Sequence, residues 1–275
     1  MARCPLCSSS SLTARLVDFR GHGIDRCREC GVEFMNPQYS DAHLAHFYSR
    51  YISMHPGPRD ETKHRGDPEV RKRGKRRALD LLRTFAQGPR ILMIGCGDGI
   101  ELAEAKACGW QPEGYDVDPE TTAAVAAREG VPVHCGTLAS LPGRAGPFDA
   151  LFLDQVIEHP KDPGRCLEVC RDLLRPGGVL FLATPNLGSV SNVLKTFVDR
   201  LGLRRRPGRH YNTRHHLAFF RPRVLADYLR NRLGFDVLRV RASLKPQRNP
   251  VTALLGGLFA GLDSNFVVVA RRPAR

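Results

Sequence analysis

The sequence predicts an α/β protein: a mostly parallel seven-stranded sheet covered by helices on both faces, behind a small cysteine-rich N-terminal module. Three observations carry this expectation. Four cysteines stand as two C-x2-C pairs, Cys4 with Cys7 and Cys27 with Cys30. From residue 69 onward, short apolar runs alternate with amphipathic stretches, the pattern of parallel strands joined by covering helices. A turn with three glycines, Gly95-Cys96-Gly97-Asp98-Gly99, follows the first of those runs and opens a helix. At 275 residues and 42% hydrophobic content the chain can build a substantial core, which excludes wholesale disorder. The longest uncharged apolar stretch, 251–262, is too short to cross a bilayer as a helix. No apolar signal segment follows Met1, so the expected location is cytoplasmic.

Each C-x2-C pair can aim two thiolates at one ion, and two pairs complete a closed tetrahedral site. The spacing therefore predicts a structural zinc ribbon with Cys4, Cys7, Cys27 and Cys30 as ligands. Residues 12–19 and the following Gly21-His22-Gly23 predict a hairpin between the pairs. The other five cysteines, Cys96, Cys108, Cys135, Cys166 and Cys170, read as small buried hydrophobes. Residues 36–51, rich in Tyr, Phe and His, predict a short helix packed on the next domain. Pro, Gly and charge mark 54–68 as a linker or lid. The expected units are thus a ribbon at 1–45, a linker at 46–68 and a large domain at 69–275 with a substrate-side insert at 187–222.

In the large domain an amphipathic helix is expected over 70–85, then a strand at 90–94 and a helix at 100–108 stopped by Gly109. A strand at 111–115 precedes a helix at 119–129, with Pro119 in its first turn and Gly130 after its end. Strands follow at 131–134 and 148–153. A helix over 164–174 is closed by Arg175-Pro176-Gly177-Gly178, and a fifth strand covers 179–183. The last two strands fall at 235–239 and 265–270, with a helix at 253–262 between them, and the final strand is expected to be antiparallel. In the insert, Val190, Val193, Leu194, Phe197, Val198 and Leu201 mark a helix that would form a lid over the acceptor pocket.

Glycines on alternate positions ahead of a helix N-terminus let a ligand approach the backbone closely. Ile100 stands where a dinucleotide fingerprint wants its last glycine. Asp116, at the end of the second strand, occupies the place of a ribose-binding carboxylate, whereas Asp118 is expected on the other side of the segment.

On these residues the sequence resembles class I S-adenosylmethionine-dependent methyltransferases. The resemblance rests on 91–99, Tyr115-Asp116, Phe148-Asp149 and Leu174-Arg175-Pro176-Gly177-Gly178. It implies a Rossmann-like sheet and covers about 78–239. Glu158-His159 and Ala183-Thr184-Pro185-Asn186 resemble a narrower branch, the ubiquinone-biosynthesis O-methyltransferases and related enzymes (methyltransferase domain family 23). The resemblance implies that Gly95, Cys96, Gly97 and Gly99 cradle the cofactor. It places Asp116 on the ribose hydroxyls, Val117 beside the adenine, and Asp154 and Gln155 at the pocket edge. Thr137 and Leu138 stand where relatives often carry an adenine-binding acid.

Methyl transfer to oxygen needs a base or a metal to remove the proton. His159, just past the carboxyl edge of the sheet, is the best base candidate. Some relatives bind magnesium through a Glu-x-x-Glu-His set, and this chain has Gln155-x-x-Glu158-His159, one carboxylate fewer. Arg214-His215-His216, before Leu217, either faces the substrate or forms a packed turn, and His216 joins the catalytic candidates.

The reading is a methyltransferase acting on a small molecule (a sugar, lipid-linked or polyketide-type acceptor), at oxygen. The competing reading is an RNA or protein methyltransferase that grips a polymer with the ribbon and basic segments. No base-handling Asn-Pro-Pro-Tyr motif follows the fourth strand, where Leu153-Asp154-Gln155 stands instead, which disfavours amino methylation of bases. The surplus of +14 resides in two segments, 63–77 and 200–223. Both suggest an acceptor that is anionic or presented at an anionic surface, with peripheral membrane contact by the insert included.

Overall fold

The computed structural model describes residues 2–49, 68–137, 146–242 and 263–274. The N-terminal hairpin forms as expected from its glycine turn: β1 (Leu12–Val17) pairs antiparallel with β2 (Gly23–Cys27). A third strand, β3 (Glu33–Met35), extends it, and α1 (Asp41–Ser49) follows. The large domain opens with α2 (Pro68–Arg83), then β4 (Arg90–Ile94), α3 (Ile100–Ala107), β5 (Gln111–Asp116), α4 (Pro119–Glu129), β6 (Val133–Cys135) and β7 (Phe148–Asp154). It continues with α5 (Pro163–Leu173), β8 (Leu174–Pro185), α6 (Val190–Arg200), β9 (Ala218–Phe219), α7 (Pro222–Asn231), β10 (Asp236–Ala242) and β11 (Asn265–Arg271).

Seven strands make the main sheet in the order β10-β11-β8-β7-β4-β5-β6. The five central and right-hand strands run parallel, and β11 enters antiparallel between β8 and β10. Strand alternation explains the two-faced core. On β4, Leu92 and Ile94 join one buried cluster with α5 and α7, while Ile91 and Met93 join the other with α2 and α3. A strand buried on both faces reads as one continuous apolar run, which is why Arg90–Ile94 was visible in sequence.

Several features differ from expectation. Strand β8 begins directly after α5, at Leu174, because the Gly177-Gly178 turn is absorbed into the strand. Helix α7 and strand β9 were not anticipated; α7 starts at Pro222 and buries Leu225, Ala226, Tyr228 and Leu229. The helix expected at 253–262 and most of the 54–68 linker lie outside the described residues. Cys96, Cys166 and Cys170 are buried, but Cys108 is half-buried and Cys135 is exposed, since it ends the edge strand β6.

The N-terminal strands do not stand alone. β3 pairs antiparallel with β9, Glu33 opposite Phe219, so the second sheet runs β1-β2-β3-β9. Leu6, Val32 and Phe34 share a buried cluster with Leu151, Leu182 and Leu225. The buried Glu33 carboxylate accepts from Tyr211 at 2.6 Å and Arg221 at 2.8 Å, both in the second half of the chain.

Candidate active site

The carboxyl ends of β4 and β5 build the first half of the site. Gly95, Gly97 and Gly99 all have positive φ, at 72°, 47° and 79°. A Cβ on Gly95 would stand 2.6 Å from the Val156 side chain, so this position demands glycine twice over. At Gly97 a Cβ would meet nothing within 4 Å, so its backbone faces open space that a ligand can enter. Asp116 faces the same loop: it accepts from Gly97 N at 2.9 Å and from Val117 N at 2.7 Å. Asp118 is engaged elsewhere as the N-cap of α4, accepting from Glu120 and Thr121. Val117 is 45% exposed, an apolar side chain left beside the loop. Cys96 is buried, and burial pushes its thiol up to about 12, so it packs rather than reacts. Tyr115 donates to the Thr137 carbonyl and fixes that exposed turn, whereas Leu138 lies outside the described residues.

Sequence reasoning missed Lys75 here. From α2 its ammonium reaches Asp154 at 2.5 Å and also pairs with Glu101. Burial alone would lower its pKa, but the two carboxylates prevail and hold it raised and charged. Arg71 pairs with Asp98 of the glycine loop at 3.0 Å, and Arg76 with Glu104. Three residues of the first basic segment, Arg71, Lys75 and Arg76, thus pair with acids on and beside the loop. The signal was present as a run of basic residues on a helix entering the first strand.

The second half of the site lies beyond β7. Gln155 adopts φ 60°, uncommon for a residue with a side chain, and its Nε2 is buried without a hydrogen-bond partner among the described residues. Glu158 is buried and accepts from Thr184 at 2.9 Å; its backbone carbonyl accepts from Leu217 and Ala218. The Nδ1 of His159 meets the His215 carbonyl at 2.9 Å. That carbonyl can only accept, so Nδ1 carries the proton and Nε2 is left as the basic nitrogen. His159 stacks on His215, with ring centroids 5.3 Å apart, and meets His216 edge-on at 5.1 Å. Tyr48 of α1 approaches the His159 ring from the N-terminal side, and Phe47 stacks on His215. Burial lowers the pKa of His159 and takes His216 down to about 2, so both imidazoles are neutral near pH 7. Ligand-capable atoms of Glu158, His159 and His216 all lie within 4.8 Å of one another. An adjoining cavity of about 20 Å³, lined in part by Glu158, Asn192 and His216, has room for one water.

The four N-terminal cysteines converge as well. Sγ atoms of Cys4 and Cys30 are 3.6 Å apart, as are those of Cys7 and Cys27, and all four lie within 4.8 Å. Tetrahedral zinc with Zn–S bonds of about 2.3 Å places its sulfurs about 3.8 Å apart. The cluster is compatible with that ion, and all four thiols are free of disulfides. A hydrogen bond from Cys30 lowers the Cys4 thiol to about 5.

The parallel sheet, its glycine loop and the carboxylate at the end of the neighbouring strand define an S-adenosylmethionine-dependent methyltransferase. Comparison with known proteins agrees. A family model described as a methyltransferase domain matches residues 68–240, and the chain belongs to that family. A ubiquinone biosynthesis O-methyltransferase of Xanthomonas axonopodis pv. citri is 32% identical over 193 residues, covering 68% of this chain and 77% of that protein. One from Paraburkholderia phymatum is 29% identical over 195 residues, covering 68% and 80%. Among solved structures, a Burkholderia thailandensis 1,6-didemethyltoxoflavin-N1-methyltransferase with bound S-adenosylhomocysteine superposes at a TM-score of 0.57. It is 20% identical and covers 94% of this chain and 99% of that one. A Thermotoga maritima methyltransferase, described as a possible histamine N-methyltransferase, gives 0.56 at 20% identity, covering 84% and 100%. At this identity the structural likeness establishes the fold.

Proposed function

We propose that this methyltransferase acts on a hydroxyl oxygen of a small-molecule acceptor, with His159 as the proton acceptor. The observation that carries this reading is the orientation of His159: its Nδ1 faces the His215 carbonyl, and burial keeps the ring neutral. S-adenosylmethionine, when bound, supplies a methyl group already activated by sulfonium charge. The chain's own residues must hold that cofactor, orient the acceptor, exclude water and remove one proton. Gly95, Gly97 and Gly99 bring backbone to the cofactor, and Asp116 takes its ribose hydroxyls. Val117 and Thr137 flank the adenine, while Asp154, held by Lys75, and Gln155 line the edge toward the acceptor. The O-methyltransferase relatives support oxygen as the methylated atom. The four cysteines hold a structural zinc ion and do no chemistry.

One observation favours a second reading, the convergence of Glu158, His159 and His216. Two imidazoles and a carboxylate suit a divalent transition metal better than magnesium, and such an ion would lower the pKa of a bound hydroxyl. Of the two basic segments, Lys75, Arg71, Arg76 and Arg221 are ion-paired to the protein's own acids and so are not free to grip a polymer.

His159→Gln tests the base. We expect kcat to fall about 10²–10⁴-fold while cofactor affinity measured by calorimetry is unchanged. Because burial lowers the His159 pKa, the acid limb of wild-type kcat/KM should lie at lower pH than that of an ordinary histidine, with activity lost as the ring protonates. Activity of His159→Gln near wild type would overturn the base role. Loss of wild-type activity on mild chelation that leaves the cysteine-bound zinc in place by elemental analysis, with restoration by one divalent ion, would select the metal instead.

A further inference from the structure

Helix α6 is turned the opposite way from a helix of a soluble core. Its apolar residues Val190, Val193, Leu194 and Phe197, with Leu201 beyond its end, follow one stripe, and each is 54–60% exposed. Leu203 is 71% exposed, and no residue of the helix is buried. The polar face is the one fastened to the protein. Ser189 caps the helix through Asn192 N, and Asn192 Nδ2 donates to the Asn186 carbonyl at 2.9 Å. Thr196 meets His210 at 2.9 Å, and Asp199 accepts from Arg204 at 3.1 Å and from Gly208 N at 2.8 Å. The stripe read in sequence as the underside of a lid thus faces outward. Turning it onto the acceptor site would break the bonds of Asn192 to Asn186 and of Thr196 to His210.

The surroundings indicate what covers it. Arg200, Arg205, Arg206 and Arg209 are exposed around the C-terminal end of the stripe, and none of the four is ion-paired among the described residues. The tip of the β1–β2 hairpin lies beside them: Phe19 N donates to the Pro207 carbonyl at 2.9 Å. That tip adds Val17 at 60% exposure and Phe19 at 36%, with Arg20 over the Phe19 ring. Residues 200–223 contain eight basic and no acidic residues. A second copy docked face to face would bring two such segments together, which like charge opposes.

We propose that α6 and the β1–β2 tip form a docking surface for an anionic lipid bilayer. The apolar stripe lies in the headgroup boundary, and the arginines rest on lipid phosphates. This inference is independent of which acceptor is methylated and of the role of His159.

The test is co-sedimentation of the full-length protein with vesicles of phosphatidylcholine alone or mixed equally with phosphatidylglycerol. Binding should require phosphatidylglycerol and weaken with salt. The double variant Leu194→Asp, Phe197→Asp should lower the partition coefficient on the order of 100-fold. Arg205→Glu with Arg206→Glu should lower it about tenfold or more. Thermal unfolding and cofactor binding should match wild type in both variants, which separates lost docking from lost folding. Equal partition of wild type and the Leu194/Phe197 variant would overturn the proposal. So would a wild-type dimer, seen by light scattering, that this variant converts to monomer.

Discussion

The two halves of the active site are built in different ways. The cofactor half is local: Arg90 to Asp116 spans one strand–turn–helix–strand unit, and its key bond joins Gly97 N to Asp116. The acceptor half is stitched from distant parts. His159 leans on the His215 carbonyl, His216 closes beside it, and Phe47 and Tyr48 cover the group from α1. Behind these stands β9, paired with β3 from the N-terminal module. A local half is held by backbone conformation. A stitched half is only as well placed as the elements that brace it, so remote residues should govern it.

Three variants can break or sharpen that contrast. The largest effect should come from Cys27→Ser. A structural zinc ion contributes on the order of 10–16 kcal/mol to modules of this kind. Cys27 belongs to the same buried cluster as Leu151 and Leu182. We expect loss of one equivalent of zinc by elemental analysis and a lower melting temperature for the whole chain. Unchanged metal content would remove the zinc assignment, and a separate low transition would make the module independent. Next, Glu33→Ala leaves Arg221 and Tyr211 without their buried partner, at a cost of about 3–5 kcal/mol. In denaturant titration this should appear as lost stability, and in kinetics as a raised acceptor KM with cofactor affinity retained. A parallel loss of cofactor affinity would show that the two halves are not separable. The smallest effect on stability should come from Asp116→Ala. With Asp116 on the ribose as proposed, it removes a charged acceptor for two hydroxyls at about 1.5–3 kcal/mol each, so calorimetry should show cofactor affinity down at least ~100-fold.

What could be read in the sequence follows the same division. The strands of the main sheet were legible because burial on both faces writes a continuous apolar run, as in Arg90–Ile94. The glycine loop and Asp116 were legible because their spacing is local. His159 and His216 could be named one by one, but nothing in the sequence says that 56 positions of chain close to bring His215 onto His159. Lys75 went unnoticed because a basic run looks alike whether it faces solvent or half-buried carboxylates. The two-residue β9 has too short a pattern to see, and Glu33 looks like any surface acid until strand pairing buries it. The outward stripe of α6 carries ordinary amphipathic spacing; only hydrogen bonds on its polar face reveal which way it turns. Among the described residues no helix is long and apolar enough to cross a membrane.

The pairing of β3 with β9 also bears on how the protein is made. Glu33 and Phe219 are opposite each other in the sheet yet 186 positions apart in the chain. At about 5–20 residues per second, a ribosome delivers β9 roughly 10–40 s after β3. Throughout that interval the hairpin has an open edge, and Glu33 has Arg15 beside it but not yet Tyr211 or Arg221, a state prone to pairing with the wrong chain. The cysteine cluster is the device within the first 30 residues that can hold the module in shape until its partner strand emerges. With zinc held there as proposed, metal supply during synthesis would limit the yield of folded enzyme.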